Sequence, residues 1–237
     1  MRVAVMTDIH GFSLALQTVL HDLDAHGPFD EVIVGGDLCE VGPAPAEVLD
    51  MLRERDFTVL EGNTDADLVE EAESTANGSA NFTLRQIGED GAAYLALLDF
   101  LRRITPPGGN SPEHDLLAFH ANPHDLMGQL HPDWSDQDLL AMIGDERAAV
   151  MAFGHVHINY TRPVHGMLLA DVSAVGNPKD GDLRCKYGIF TWNEAAKSWA
   201  VEMRKLPYPL DETAEQIRNS DLPNPEKTLK KLIKASY

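Results

Sequence analysis

Aspartate, histidine and asparagine recur in this sequence directly after short apolar segments, at the places where β-strands would end. The first and last groups are Asp8-Ile9-His10 and Gly154-His155-Val156-His157; between them lie Gly36-Asp37, Gly62-Asn63 and His120. Carboxylate, imidazole and amide groups bind transition-metal ions, and one ion takes about four such ligands. The set is large enough for two ions, so the sequence predicts a two-metal site.

The spacing of these residues also indicates a chemistry. Residues i and i+2 of an extended loop point the same way, so each Asp-x-His or His-x-His pair should face one point. The two oxygens of Asp37 could bridge cations about 3.5–4 Å apart, as in two-metal hydrolases. Such cations make hydroxide available near neutral pH and stabilise charge on phosphoryl oxygens. The expected reaction is the hydrolysis of phosphate esters.

The segments that must position these residues alternate between strand and helix patterns, which favours an α/β sheet with parallel strands. Strands are expected at residues 3–6, 31–35, 57–60, 115–120 and 149–153, followed by closely spaced, hairpin-compatible strands at 167–172, 187–192 and 198–205. Helices are expected at 13–24, 44–55, 89–103, 136–143 and 226–235, and residues 66–81 should begin as a helix and fade into a loop. Ser13 and Ser135 are predicted N-caps.

The order of the motifs Asp8-Ile9-His10, Gly36-Asp37, Gly62-Asn63, His120 and Gly154-His155-Val156-His157 resembles that of calcineurin-like metallophosphoesterases, over roughly residues 1–205. The resemblance implies an α/β fold, a four-layer α/β/β/α sandwich with the metal site at its strand ends. We expect a single domain over residues 1–237. It should carry a cap or insert at 66–112 and a C-terminal helical extension at 211–237.

The same resemblance assigns roles to residues. It implies that one metal is bound by Asp8, His10, Asp37 and His157, and the other by Asp37, Asn63, His120 and His155. The two cofactors would be divalent transition-metal ions such as Mn, Fe, Zn or Ni, and mixed nitrogen and oxygen ligands favour such ions over Mg or Ca. Asp37, Asn63 and His120 would be the catalytic residues, acting on a water-derived hydroxide between the metals.

One position departs from the family pattern. Many members carry a histidine directly after the asparagine, where it is thought to protonate the leaving oxygen, and this chain has Thr64 there. A threonine hydroxyl is not acidic enough for that task, so the sequence favours phosphodiesters of nucleotide-like or small-molecule type, or activated esters. Asn177, Arg184 and His124 are predicted to contact the substrate, and His131 is a further proton donor to consider.

Composition narrows the partners. The formal net charge of −19 argues against stable binding to nucleic acid or to anionic membranes, leaving a small phosphoester as the expected partner. Two cysteines and the lack of a signal-like or membrane-spanning segment predict a cytoplasmic protein. Four lysines near the C-terminus, Lys227, Lys230, Lys231 and Lys234, are expected to form a solvated helix face. The oligomeric state is left open.

Three other functions remain open from the sequence. The chain could act on phosphomonoesters, or it could be a protein phosphatase specific for phosphoserine and phosphothreonine. It could also be a non-catalytic scaffold for protein interactions, as in the retromer subunit that resembles these enzymes. Such scaffolds tend to lose metal-binding histidines, whereas this sequence keeps all four of them.

Overall fold

The fold consists of two five-stranded mixed sheets with helices on both outer faces. The computed structural model describes residues 1–72 and 78–236. The strands are β1 (Arg2–Met6), β2 (Glu31–Val34), β3 (Thr58–Val59), β4 (Leu101–Ile104), β5 (Leu116–Phe119), β6 (Val150–Phe153), β7 (Tyr160–Val164), β8 (Met167–Asp171), β9 (Cys185–Asn193) and β10 (Ser198–Leu206). The helices are α1 (Ser13–His26), α2 (Pro45–Arg53), α3 (Asn63–Ala72), α4 (Gly78–Leu95), α5 (Asp136–Ile143), α6 (Leu210–Asn219) and α7 (Pro225–Lys234).

The alternation of side chains along the strands creates three hydrophobic layers. The first sheet has the order β10-β9-β1-β2-β3 and the second the order β4-β5-β6-β8-β7. Along β1, Ala4 and Met6 pack toward the helices, whereas Val3 and Val5 pack between the two sheets. Along β5, Leu117 faces the opposite outer layer, which includes buried residues of α5. Helix, sheet, sheet and helix therefore follow one another, confirming the predicted α/β/β/α sandwich.

Parallel pairing places several strand ends at the same edges of the sheets. β1 pairs with β2 and β2 with β3 in parallel, as do β5 with β6 in the second sheet. The carboxyl ends of neighbouring parallel strands lie together, and ligands commonly bind at that edge of an α/β sheet. Every predicted metal ligand lies in the segment that directly follows one of these five strands, and Asn63 is there the first residue of α3.

The predicted helix over residues 89–103 is wrong at its end. α4 stops at Leu95, and Leu101 instead begins β4, which pairs antiparallel with β5. The leucine spacing that indicated a helix also fits a short strand, and tertiary pairing decides between them. The segment 66–112, predicted to be a cap or insert, contains most of α3 and all of α4 and β4; its role as a cap stays a prediction.

The later strands also differ from the expectation. β8 was expected beside the hairpin partners β9 and β10, but it pairs with β6 and with β7, a strand that the sequence analysis missed. β9 and β10 do pair with each other. Ser135 accepts a hydrogen bond from the Asp138 N–H and caps α5 as predicted, whereas α1 has Phe12 at the N-cap position and no side-chain cap.

Candidate metal centre

The loops after β1, β2 and β6 turn through unusual backbone conformations to present the predicted ligands. Positive φ angles between 53 and 69° occur at five of them: Asp8, His10, Asp37, His155 and His157. Such angles are uncommon outside glycine, and strained residues cluster at functional sites. The two i, i+2 pairs thus converge through left-handed turns, and not through the extended loop that the sequence analysis assumed. The intervening Ile9 and Val156 are buried.

Four side chains form what we call the first group: Asp8, His10, Asp37 and His157. One candidate ligand atom from each lies within 4.8 Å of the others, so together they could hold a metal ion. The Nε2 atoms of His10 and His157 are 3.2 Å apart, and His157 Nε2 is 3.0 Å from Asp8 Oδ1. Asp37 Oδ2 completes the group at 3.5 Å from His10 Nε2.

The second group contains Asp37 again, with Asn63, His120 and His155. Asn63 Oδ1 lies 3.0 Å from both His120 Nε2 and His155 Nδ1, and these two nitrogens are 3.2 Å apart. Asp37 Oδ1 is 3.5 Å from His120 Nε2. One carboxylate therefore offers one oxygen to each group, which is the arrangement that a bridging ligand requires.

Backbone carbonyls orient all four imidazoles. In each ring, the nitrogen that faces away from the group lies 2.7–3.2 Å from a carbonyl oxygen. The acceptors are the carbonyls of Glu40, Gly35, Asn177 and Met127, for His10, His120, His157 and His155 respectively. Only an N–H can donate to a carbonyl, so in the neutral ring the opposite nitrogen carries a lone pair directed into the group, as in metal-binding histidines.

The arrangement of Asp8 tests whether a cation fits the first group. Its Oδ2 accepts hydrogen bonds from Thr7 Oγ1 and the His155 N–H, both at 3.0 Å. Its Oδ1 is buried without a hydrogen-bond partner, although His157 Nε2 is 3.0 Å away, because a neutral ring that donates from Nδ1 has no proton on Nε2. Lone pairs that face one another in a buried place are unfavourable unless a cation lies between them. The donor set therefore fits a divalent ion.

Hydrogen bonds from α3 hold the shared carboxylate. The Thr64 N–H and its Oγ1–H both donate to Asp37 Oδ1, at 2.9 and 2.8 Å. Gly62 allows this close approach, because a Cβ atom there would lie 2.3 Å from Asp37 Oδ1. Thr64, noted in the sequence only for what it replaces, thus positions Asp37.

Asp65 is a residue of the site that the sequence analysis missed. Its carboxylate accepts three backbone N–H groups, those of Asp37, Leu38 and Gly62, at 2.7–3.0 Å. It joins the loop after β2 to the loop before α3. A signal existed in the sequence, since an aspartate in the first turn of a helix commonly accepts backbone N–H groups.

Burial and neighbouring charges shift the pKa values of the carboxylates and histidines of the site in opposite directions. Burial alone would raise the pKa of Asp8, but His157 and the other nearby histidines outweigh it and hold that pKa well below its usual range. The same balance, with His120 and His10 opposing burial, lowers the pKa of Asp37. Burial lowers the pKa of His10 to about 4. In contrast, burial and the Asp37 carboxylate raise the pKa of Asp65 to about 7.

A cavity of about 600 Å³ opens over both groups. Beyond the candidate ligands it is lined by Val41, Thr64, Asn177, Lys179, Lys231, Lys234 and Ser236. Its volume is in the range usual for small-molecule sites. None of the three lysines was predicted to belong to the site; Lys231 and Lys234 reach it only through the packing of the C-terminal helix α7, and Lys179 lies in the loop between β8 and β9.

Of the three predicted substrate contacts, only Asn177 lines this cavity. The Arg184 guanidinium instead pairs with Asp182 at 2.6 Å, within its own loop. His124 Nε2 lies 2.8 Å from the Ile143 carbonyl, which directs the ring toward α5. His131 pairs with Asp133. The structure therefore does not bring Arg184, His124 or His131 to the cavity.

Two packed sheets with aspartates, histidines and an asparagine gathered at their strand ends are typical of metal-dependent phosphoesterases. Residues 1–159 match the sequence model of the calcineurin-like phosphoesterase family, so the chain belongs to that family. The match confirms the resemblance recognised in the sequence. No helix in the described part of the chain is both long and apolar enough to cross a membrane.

Individual relatives extend the likeness over the whole chain. An uncharacterized protein of Methanocaldococcus jannaschii is 24% identical over 243 residues, which cover 93% of each chain. A symmetrical bis(5′-nucleosyl)-tetraphosphatase of Delftia acidovorans is 30% identical over 142 residues, covering 58% of this chain and 48% of the relative. The crystal structure of a metallophosphoesterase from Sphaerobacter thermophilus aligns with a TM-score of 0.77 at 20% identity, over 99% of both chains.

Proposed function

We propose that this chain hydrolyses small phosphoesters with two divalent transition-metal ions, Mn, Fe, Zn or Ni, and prefers phosphodiesters or other esters with good leaving groups. The observation that carries the proposal is the shared Asp37 carboxylate, with one oxygen toward each group of candidate ligands. When bound, two such cations would supply a nucleophilic hydroxide near neutral pH and stabilise charge on the phosphoryl oxygens.

The chain's own residues would prepare this reaction in three ways. The carbonyl-bound histidines, when neutral, direct their lone pairs into the site, where a metal would bind. Asp37 fixes the separation of the two groups, and Thr64 and Asp65 fix Asp37. Asn63 lines the cavity, where it would orient a phosphoryl group, and the buried His120 lies behind it with its Nε2 3.0 Å from Asn63 Oδ1.

The preference for good leaving groups follows from Thr64. Both of its donors are used on Asp37 Oδ1, so the side chain is committed to positioning and cannot protonate a leaving alkoxide. The residues first considered as replacement proton donors, His124 and His131, lie outside the cavity lining. A leaving group with a low pKa needs no proton in the transition state, so aryl esters and nucleotide-type diesters should react fastest.

The test is a metal-reconstituted activity screen on aryl esters and on mono-, di- and cyclic nucleotide phosphates. We expect faster turnover of bis(p-nitrophenyl) phosphate than of alkyl phosphomonoesters, and loss of turnover in Asp37→Ala and Asn63→Ala. Asp50→Ala, an exposed carboxylate on α2, is the matched control and should retain full activity. Near-normal turnover by Asp37→Ala would contradict the assignment.

A second candidate is cleavage of a phosphoanhydride, since the Delftia acidovorans relative, 30% identical over 142 residues, is a symmetrical bis(5′-nucleosyl)-tetraphosphatase. A nucleotide is a good leaving group, so this reaction is compatible with Thr64. The same screen separates the alternatives. Fastest turnover of alkyl phosphomonoesters or phosphoserine peptides would favour a phosphatase, and a metal-loaded protein inert toward every phosphoester would favour a scaffold.

A further inference from the structure

One loop, residues 172–184 between β8 and β9, holds both the ring and the backbone of the candidate ligand His157. The His157 Nδ1–H donates to the Asn177 carbonyl at 2.7 Å. The His157 carbonyl accepts hydrogen bonds from the Ser173 hydroxyl at 3.0 Å and from the Lys179 N–H at 3.1 Å. The direction in which this imidazole points into the first group is therefore set by the loop.

The path of the loop does not follow from local backbone preference. His157, Ser173 and Asn177 have positive φ angles of 57, 67 and 52°. Such angles are costly for most residues other than glycine, and they persist only where surrounding contacts impose them. Residues 172–184 form no helix or strand, so regular secondary structure does not supply those contacts. A group outside the loop must hold it.

The ammonium group of Lys186, the second residue of β9, makes three contacts with the loop. Its Nζ lies 3.0 Å from Asp180 Oδ1, 2.7 Å from the Asp182 carbonyl oxygen and 3.1 Å from the Arg184 carbonyl oxygen. An ammonium has three N–H donors, so the loop accepts all of them. The Lys186 side chain is 0% exposed, and no other lysine or arginine is buried in the described part of the chain. Burying a charge is costly even when it is paired, so packing alone does not explain this lysine.

Asp180 connects this ammonium to the chain beside His157. Its Oδ1 accepts from Lys186, and its Oδ2 accepts at 3.4 Å from the N–H of Asn159, two residues after His157. The Lys186 backbone N–H donates to the Ala174 carbonyl at 3.1 Å. Lys186 therefore holds the loop on both sides of the carbonyl that accepts the His157 ring.

The loop also supports a second ligand of the first group. The Gly176 N–H donates to the Asp8 carbonyl at 2.9 Å. In the second group, by contrast, the outer nitrogens of His120 and His155 face the carbonyls of Gly35 and Met127, which lie outside the loop. A displacement of the loop should therefore disturb the first group more than the second.

The far end of the loop contacts the C-terminal helix. The Gly181 N–H donates to the Ala235 carbonyl at 2.8 Å, directly after the last residue of α7. Asn177, at the other side of the loop, lines the cavity. The Lys186 ammonium thus lies behind a segment that borders the opening of the candidate metal centre.

We propose that Lys186 is a positioning residue for His157, and that it sets the metal affinity of the first group while leaving that of the second nearly unchanged. The inference rests on the proposed function and adds that the two metal ions depend on different supports. Lys186 and its loop lie beyond residue 159, outside the part of the chain that the family model matches.

The experiment separates the two groups by removing one ligand at a time. His120→Ala keeps all four ligands of the first group, and His10→Ala keeps all four of the second. The affinity of each metal-free protein for Zn²⁺ is measured by competition with a chromophoric chelator, with and without Lys186→Met, which removes the three donors at similar side-chain length. Lys205→Met is the matched control, because Lys205 lies opposite Lys186 on β10, is 34% exposed, and reaches Asp182 only at 3.9 Å.

We expect Lys186→Met to weaken Zn²⁺ binding by the first group about tenfold, the lower limit for losing the support of a metal ligand, because Lys186 acts through the loop. Binding by the second group should change less than about threefold, and Lys205→Met should change neither. Asp180→Asn keeps the loop acceptor but removes the ion pair. It should weaken the first group selectively by about threefold, and it decides the question if circular dichroism shows that Lys186→Met does not fold.

Equal weakening of both groups would indicate a general loss of stability and would overturn the inference, as would unchanged binding by the first group. A wild type that binds two Zn²⁺ ions but cleaves no phosphoester would refute the proposed function, and the affinities would still decide the role of Lys186. A wild type that binds no metal would overturn both.

Discussion

Replacing Thr64 with valine isolates the contribution of one hydrogen bond to the shared carboxylate. Thr64→Val keeps the shape of the side chain and the N–H bond to Asp37, but removes the Oγ1–H bond of 2.8 Å. A hydrogen bond to a charged group contributes about 1.5–3 kcal/mol, and losing such support for a metal ligand typically costs about 10–100-fold in metal affinity or activity. Thr64 is half-buried, so water can partly replace the hydroxyl, and we expect the lower limit, about tenfold.

The measurement is a calorimetric titration of the metal-free protein with Mn²⁺ or Zn²⁺, followed by steady-state kinetics on bis(p-nitrophenyl) phosphate. Thr64→Ser keeps the hydroxyl and serves as the control, with metal affinity expected to stay within about threefold of wild type. Metal affinity and kcat/KM of Thr64→Val that both match those of Thr64→Ser would refute the view that this hydroxyl positions Asp37.

Three further predictions concern the frame of the site. Gly154→Ala should abolish metal binding, because its Cβ would lie 2.1 Å from Asp8 Oδ2; a full complement of metal by elemental analysis would show that the loop can yield. Asp65→Ala should lower the free energy of unfolding by about 3 kcal/mol or more, since three backbone N–H groups lose their acceptor; urea denaturation of the metal-free protein measures this, and a change below about 1 kcal/mol would contradict it. On acidification the second group should lose its metal first. Burial lowers the pKa of His10 to about 4, whereas for His120 the nearby carboxylates outweigh burial and raise the pKa, so protons compete there nearer to neutral pH; simultaneous loss of both metals in a pH series of metal analyses would count against that order.

The convergence of the candidate ligands could be predicted because each follows a strand, and parallel strands end at one edge. The sequence indicated that Asp8 and His155 would meet although they are 147 positions apart, and the structure joins the His155 N–H to Asp8 Oδ2 at 3.0 Å. The same reasoning could not predict the backbone conformation of the ligand residues themselves. Positive φ angles at aspartate and histidine oppose the intrinsic preference of those residues, and only the surrounding packing imposes them.

The lysines of α7 show a different limit of prediction from the sequence. The spacing of Lys227, Lys231 and Lys234 predicts one face of a helix, and these lysines are exposed as expected. The neighbour of that face depends on where Leu229 and Leu232 pack. They pack in the same hydrophobic layer as Ala4 and Met6 of β1, which are far away in the sequence. Local pattern specifies the element, whereas long-range packing specifies its neighbour. The same reason explains why Arg184, plausible from its loop sequence, points to Asp182 instead of the cavity.

The hydrogen bond between Gly181 and Ala235 has a practical consequence for work with this protein. Because the last turn of α7 borders the cavity, an affinity tag or fusion partner attached after the final residue would emerge beside the opening that substrates must use. Met1, by contrast, lies at the amino end of β1, where its carbonyl accepts a hydrogen bond from the Trp192 N–H, at the opposite edge of the sheet. Purification handles are therefore better placed before Met1, and kinetic constants from proteins tagged at the other terminus should be compared with those of the cleaved form.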